Sequence, residues 1–328
     1  MIEKRYLFTF LIMITLFFSL LNPSGRLNAS YSGGIFITVP DDVPSINMAI
    51  PKVREGGTVK IKRGNYAETV YINKSVTLLG ENNPTIRMPL TITHTQNVTI
   101  NGISFVIEPA GTEPAIIALN ASRLTLENLK INATFIFLID SADISIKNCQ
   151  FAGNPGPSIH IQGKKSNNIT IEWCKFNQTY MALVVRQATN INFRYNTVNA
   201  TEFSIKLLSE CKSATISLNN FLKGEAEDYG INNKWYNETS KLGNHWADLD
   251  PSKDKNEDGI IDEPKTIGGT AGSRDEYPLA KPFTEYLKSQ NQQANITTYI
   301  TAAIALIATL TAAATILYMK RRQKIEQK

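Results

Sequence analysis

Asn97-Val-Thr-Ile-Asn-Gly-Ile-Ser-Phe105 is answered by Arg123-Leu-Thr-Leu-Glu-Asn-Leu-Lys-Ile131, then by Asp143-Ile-Ser-Ile-Lys-Asn-Cys-Gln-Phe151 and Asn168-Ile-Thr-Ile-Glu-Trp-Cys-Lys-Phe176. Looser copies begin at Ser75, Asn190 and Ser213, so successive phrases start 20 to 26 residues apart. A unit repeated at that period is the mark of a solenoid, because each copy is too small to bury its apolar side alone and must stack on the next.

Within a phrase the second and fourth residues are apolar and the first, third and fifth polar, the alternation of a strand with one buried face. The sixth position, Gly102, Asn128 or Asn148, suits the left-handed backbone of a sharp corner. Apolar residues resume at the seventh and ninth. Stacked in parallel about 4.8 Å apart, the seven coils of residues 75–222 predict an all-β, right-handed parallel β-helix roughly 30 Å long. A sandwich of antiparallel strands is the competing fold; it calls for two-residue hairpins, which this spacing does not supply.

The two ends read differently from the body. Residues 1–29 carry Lys4-Arg5, an apolar run from Tyr6 to Leu21 and then small or polar residues, the layout of a secretory signal peptide; an uncleaved N-terminal anchor is the alternative. Residues 284–298 form a linker. Residues 299–319 are an uncharged apolar run of transmembrane length, followed by the basic tail 320–328. This predicts a single-pass protein of the cell membrane, its bulk extracellular and its C-terminus cytoplasmic. The tail carries a net +4 and residues 1–29 a net +2, so with +5 for the whole chain residues 30–319 come to −1. The basic balance thus belongs to the ends, and nothing in the outward body argues for nucleic acid.

Ten Asn-x-Ser/Thr sequons, from Asn28 to Asn295, are glycan acceptors where the machinery exists, although the repeat itself generates those at Asn97 and Asn168. Cys149 and Cys174 hold the same seventh position of consecutive phrases and should stack, either bonded or as small buried fillers where Ile103 and Leu129 stand in earlier coils. Cys211 has no evident partner.

Two end motifs are more distinctive than the coils. The N-terminal lead-in and cap (30–74) contains Phe36-Ile-Thr-Val-Pro-Asp-Asp-Val-Pro-Ser-Ile-Asn-Met-Ala-Ile50, Gly56-Gly-Thr-Val-Lys-Ile-Lys-Arg-Gly64-Asn-Tyr66-Ala-Glu68 and Ile72-Asn-Lys74-Ser-Val-Thr-Leu-Leu-Gly80. This resembles the start of NosD-like and pectin-lyase-like right-handed β-helix proteins, and the resemblance implies a short amphipathic helix closing the first coil. Ile46, Ala49, Ile50 and Val53 have the spacing for it and Ser45 the chemistry of an N-cap. Pro51 predicts a short or kinked helix, and Gly57 departs from the Asp usual in the family. The C-terminal end element (223–283) holds Gly243-Asn-His-Trp-Ala-Asp248 and Asp275-Glu-Tyr-Pro-Leu279, similar to the closing element of the same family. His245 and Trp246 are expected to pack within it.

Between those motifs, Asp254, Asn256 and Asp258, the turn glycine Gly259, the Ile260 carbonyl and Asp262 repeat the oxygen spacing of an EF-hand-type loop. They predict a Ca²⁺ site that fastens the C-terminal end. Lys265 stands where such a loop has its bidentate Glu, which leaves Glu263 or Asp248 to supply the missing oxygen. Ordinary Asx turns are the alternative.

The resemblance also implies possible chemistry. Polysaccharide lyases and glycoside hydrolases of this fold use carboxylates and basic residues on one coil face, but acids in these coils are sparse. Asp140 and Asp143 flank one corner, and Glu127 and Glu172 share the fifth position with Lys147 and Arg194 as a solvated charge ladder. Arg186 or Arg194 would be the base of a lyase. A NosD-like role in copper handling is a further alternative, yet His94, His160 and His245 are the only histidines and form no cluster. The preferred expectation is a non-catalytic surface rod, with no catalytic residues, that binds a polysaccharide or a surface protein. Exposed Trp173, Tyr180, Tyr195 and Trp235 would be its stacking platforms.

Overall fold

The computed structural model describes residues 34–289. The expected signal peptide, membrane helix and basic tail lie outside the described residues. Among the described residues no helix is long and apolar enough to cross a membrane.

The repeated phrases become one sheet of nine strands, in the order Gly34–Val39, Val53–Ile61, Val76–Gly80, Gln96–Asn101, Ser122–Glu127, Ala142–Lys147, Asn167–Glu172, Thr189–Arg194 and Thr215–Ser217. From Val53–Ile61 onward every pairing is parallel. Fourth-position residues Leu78, Ile100, Leu126, Ile146, Ile171, Phe193 and Ile216 stand opposite one another in a single inward file. The second-position file of Val98, Leu124, Ile144, Ile169 and Ile191 runs beside it. All are buried. Burial of each contributes about 1.5–3 kcal/mol, and the gain exists only once the neighbouring coil is in place. This is a right-handed parallel β-helix. The stack reaches past both ends of residues 75–222: Val59 lies opposite Leu78, and Phe221 opposite Trp246.

A second sheet of 14 strands supplies the other two sides. One side stacks Asn65–Tyr66, Thr85–Ile86, Ser104–Val106, Lys130–Asn132 and Gln150–Ala152; the other stacks Val70–Ile72, Leu90–Thr93, Ile116–Leu119, Ile136–Ile139 and Pro157–Gln162. The two sides merge at Lys175–Arg186, a strand long enough to pair with both. The cause is local. Asn154-Pro155-Gly156 breaks the chain in one coil, whereas the next coil has Gln178-Thr179-Tyr180 there and turns through a bulge between Asn177 and Met181.

The corners are left-handed, as the sixth position led one to expect, at Gly102, Asn128, Asn148, Trp173, Tyr195 and Leu218. The first position is left-handed too, with φ of 52–56° at Asn97, Arg123, Asp143, Asn168, Asn190 and Ser213. At Trp173, Tyr195 and Leu218 a bulky side chain accepts a conformation costing on the order of 1 kcal/mol. Packing repays it: Trp173 stacks on Tyr195 with centroids 4.7 Å apart, and Phe283, opening a helical stretch at 283–289, meets both.

The N-terminal cap is the seven-residue helix Ile46–Lys52, with Ile46, Ala49 and Ile50 buried beneath it. Ser45 Oγ accepts from Met48 N, and the Glu68 carboxylate accepts from Ile46 N at 2.8 Å and Asn47 N at 3.1 Å. The Gly-x-Tyr-x-Glu segment thus caps the helix as well as starting the winding. Gly57 has no room for a larger residue, since a Cβ there would stand 2.6 Å from Val53 Cγ2. Cys149, Cys174 and Cys211 are buried free thiols. Burial pushes the Cys211 thiol up to about 12 and Cys174 well above its ordinary value.

Candidate functional site

The outward face of the first sheet follows from the same alternation. Third-position residues point away from the core, and register lines up Thr58, Thr77, Thr99, Thr125, Ser145, Thr170, Asn192 and Thr215. This file, hydroxyl at every position but Asn192, is flanked on one side by first-position Asn97, Arg123, Asp143 and Asn168 and on the other by fifth-position Glu172 and Arg194, enclosing a shallow groove of about 660 Å³. Asp143 Oδ1 accepts from Asn168 Nδ2 at 2.7 Å. The expected charge ladder is present, with Glu172 bridging Lys147 at 2.9 Å and Arg194 at 3.0 Å. Glu172 is buried, however, and not solvated. Burial pushes its carboxyl up, but the hydrogen bonds from Lys147 and Arg194 outweigh that and hold it below the ordinary range.

At the C-terminal end the seventh-position file changes chemistry. After Cys174 it continues as Asn196, Asn219 and Asn244, each fully buried. Each amide oxygen accepts from the backbone N–H of the coil before: Asn196 serves Cys174, Asn219 serves Asn196, and Asn244 serves Asn219. Their Nδ2 groups donate to core carbonyls such as Ile171 O and Phe193 O. Asp275 ends the ladder. Its Oδ2 accepts from Asn244 N at 2.8 Å and Trp246 Nε1 at 2.9 Å, and its Oδ1 from Tyr277 N. Burial pushes the Asp275 carboxyl up to about 7 against those donors. The two distinctive C-terminal motifs therefore meet as one structural lock. A second buried carboxylate, Asp228, accepts from Asn233 Nδ2, Trp235 Nε1 and Ser273 Oγ. Trp235 is consequently not the exposed platform expected from sequence: it is fully buried, because its indole N–H is needed inside. Trp173 and Tyr180 are exposed.

The loop with Ca²⁺ spacing is wound around its own side chains. Asp254 accepts from Asp258 N and Gly259 N, Asp258 from Ile260 N, and Asp262 from Lys255 N. Asn256 accepts from Asp258 N, and Gly259 takes φ +89°. Both residues available to complete the cage are held by lysines, Glu263 by Lys253 and Asp248 by Lys265. Among the described residues no three His, Cys, Asp or Glu side chains gather closely enough to hold a metal. The histidines sit apart: His160 stacks on Phe137 at 4.7 Å, His94 follows Leu90–Thr93, and His245 pairs beside Asn220.

Two features escaped the sequence reading. On the third side Ile117, Leu119, Phe137 and Ile139 face outward in register, an apolar tile. The strands Ile-Ile-Ala-Leu119 and Ile-Phe-Leu-Ile139 carried the signal, since they are apolar at every position. Near the C-terminal end, bulges in Thr197–Leu207 and Asn220–Asp228 open a cleft of about 670 Å³ lined by Glu202, Lys223, Glu225, Asp248 and Lys265. Its acids lie in different coils, and only three-dimensional register brings them together.

The model of the family described as right handed beta helix region matches residues 90–238. No curated protein matches the chain. Among solved structures, ORF18 of Geobacillus virus E2 is similar at 15% identity and a TM-score of 0.29, over 62% of this chain and 58% of that one. This chain thus spans little more than half of that protein. The parallel register and the family match together describe a right-handed β-helix protein.

Proposed function

We propose that this is a membrane-anchored extracellular protein that binds an extended polysaccharide along the outward face of the first sheet and performs no chemistry on it. The observation that carries this reading is the hydroxyl file from Thr58 to Thr215. Coil spacing repeats a donor and acceptor about every 4.8 Å, and a hydroxyl-bearing polymer of comparable repeat can follow such a file. The rails of Arg123, Asp143, Glu172 and Arg194 add hydrogen-bonding groups of both signs, which favours a neutral polymer. Residues 299–319 supply the anchor, and the 254–262 loop takes Ca²⁺ at extracellular concentration to fasten the end element.

A polysaccharide panel tested against the full-length chain and its T125V/T170V variant examines the reading directly. Binding should fall at least tenfold in the variant, whose β-branched replacements keep the strand but remove two hydroxyls. New reducing ends or unsaturated products in the same mixtures would replace this reading with a hydrolase or a lyase. The second reading is a protein partner with a complementary apolar surface, favoured by the tile of Ile117, Leu119, Phe137 and Ile139. In that case F137D abolishes binding and T125V/T170V does not.

A further inference from the structure

We propose that the cleft at the bulged strands is a separate binding site for a short, hydroxyl-rich saccharide. It lies in the second sheet, away from the hydroxyl file, and its size of about 670 Å³ falls inside the roughly 300–1,000 Å³ of small-molecule sites.

The cleft is built by backbone irregularity. Thr197–Leu207 and Asn220–Asp228 lose register between Asn199 and Phe203 and again between Phe203 and Ile205. Bulges of this kind re-aim side chains and are frequent beside binding and catalytic sites. Gly224 makes the fold possible: its φ is +102°, and a Cβ there would stand 2.8 Å from Ser204 N.

Charges in the cleft divide into committed and free. Glu227 pairs with Lys206 at 2.7 Å, and Lys265 pairs with Asp248 while lying 5.6 Å from the Trp246 ring centre. Glu202, Lys223 and Glu225 are exposed, and among the described residues their side chains make no ion pair or hydrogen bond. Register sets Glu225 opposite Phe203, and Glu202 and Glu225 line the same cleft from adjoining coils.

The ligand class follows from donor and acceptor counting. Ionised carboxylates only accept and an ammonium only donates. A ligand satisfying Glu202, Glu225 and Lys223 together must therefore donate twice and accept once within a small space. Adjacent sugar hydroxyls do both, and a carboxylate takes a vicinal pair in two parallel hydrogen bonds.

Calorimetric titration of the full-length T125V/T170V chain with cellohexaose, maltohexaose and chitohexaose tests the site with the hydroxyl file already impaired. Saturable binding of at least one sugar is expected, weakened at least tenfold by adding E202Q/E225Q with the melting temperature unchanged. Absence of saturable binding for all three, or binding indifferent to E202Q/E225Q, overturns the proposal. So does a signal that appears only with added Ca²⁺ and persists without sugar. Failure here leaves the reading of the hydroxyl file standing, because that reading is judged on chains with Thr125 and Thr170 intact.

Discussion

Gly243 meets Asp275 so closely that a Cβ on the glycine would stand 1.8 Å from Asp275 Oδ1. The same carboxylate holds Asn244 N, Asn244 Nδ2 and Trp246 Nε1 on its other oxygen. The glycine is thus the opening through which a buried acid reaches the end of the amide ladder.

Gly243→Ala must push Asp275 away from those donors. The expected cost is roughly 2–4 kcal/mol, from overpacking together with buried hydrogen bonds lost. Denaturant unfolding measures it, and a change below about 0.5 kcal/mol, the scatter of ordinary surface substitutions, would show that the end element yields freely.

Asn219→Ala removes the acceptor for Asn196 N and the donor to Phe193 O, all within the core. Leaving those backbone groups unpaired should lower stability by about 2–4 kcal/mol. Leu129→Ala, a cavity of comparable size at the same corner, should leave no unpaired polar group. Its amide-exchange protection near residue 103 should survive, whereas Asn219→Ala should lose protection at Asn196.

Asp275 also predicts a pH dependence. Burial raises its folded value to about 7 from 3.8, so the folded state keeps a proton that the unfolded chain has released. Its contribution to stability is complete below about pH 4 and is lost as pH rises through 7. Unfolding at a series of pH values should show this decline, flattened in Asp275→Asn. A rise over that interval would mean that the four N–H donors outweigh burial.

The 254–262 loop gives a ligand prediction. Ca²⁺ added to the full-length chain should raise the melting temperature, and D254A/D258A should remove the rise. Calorimetry that finds no heat, with an unchanged melting temperature, disposes of the site.

Much of the fold was legible because its periodicity is written in every coil: Ile100, Leu126, Ile146 and Ile171 share a face by alternation alone. The left-handed first position was legible in part, in Asn97, Asp143, Asn168 and Asn190, residue types that favour it; Arg123 broke that pattern. Trp235 was misplaced because an indole reads the same whether its N–H meets water or a buried Asp228. The cleft was hidden for a different reason. Glu202 and Glu225 line one cleft where bulges shift the strands, and a bulge leaves no regular trace in sequence.

The change of the seventh-position file from Ile103 and Leu129 through two thiols to three amides and an acid has a consequence for how the protein can grow. Between Ile103 and Cys149 neighbouring turns touch through side chains that accept any apolar companion, so a duplicated turn could be spliced in there and lengthen the shaft. From Asn196 to Asn244 each turn offers the next the same amide contact, so a copied turn tolerates insertion there only if it brings its own Asn to that corner. Beyond Asn244 the stack meets Asp275, whose carboxylate has no counterpart in any coil, and growth stops.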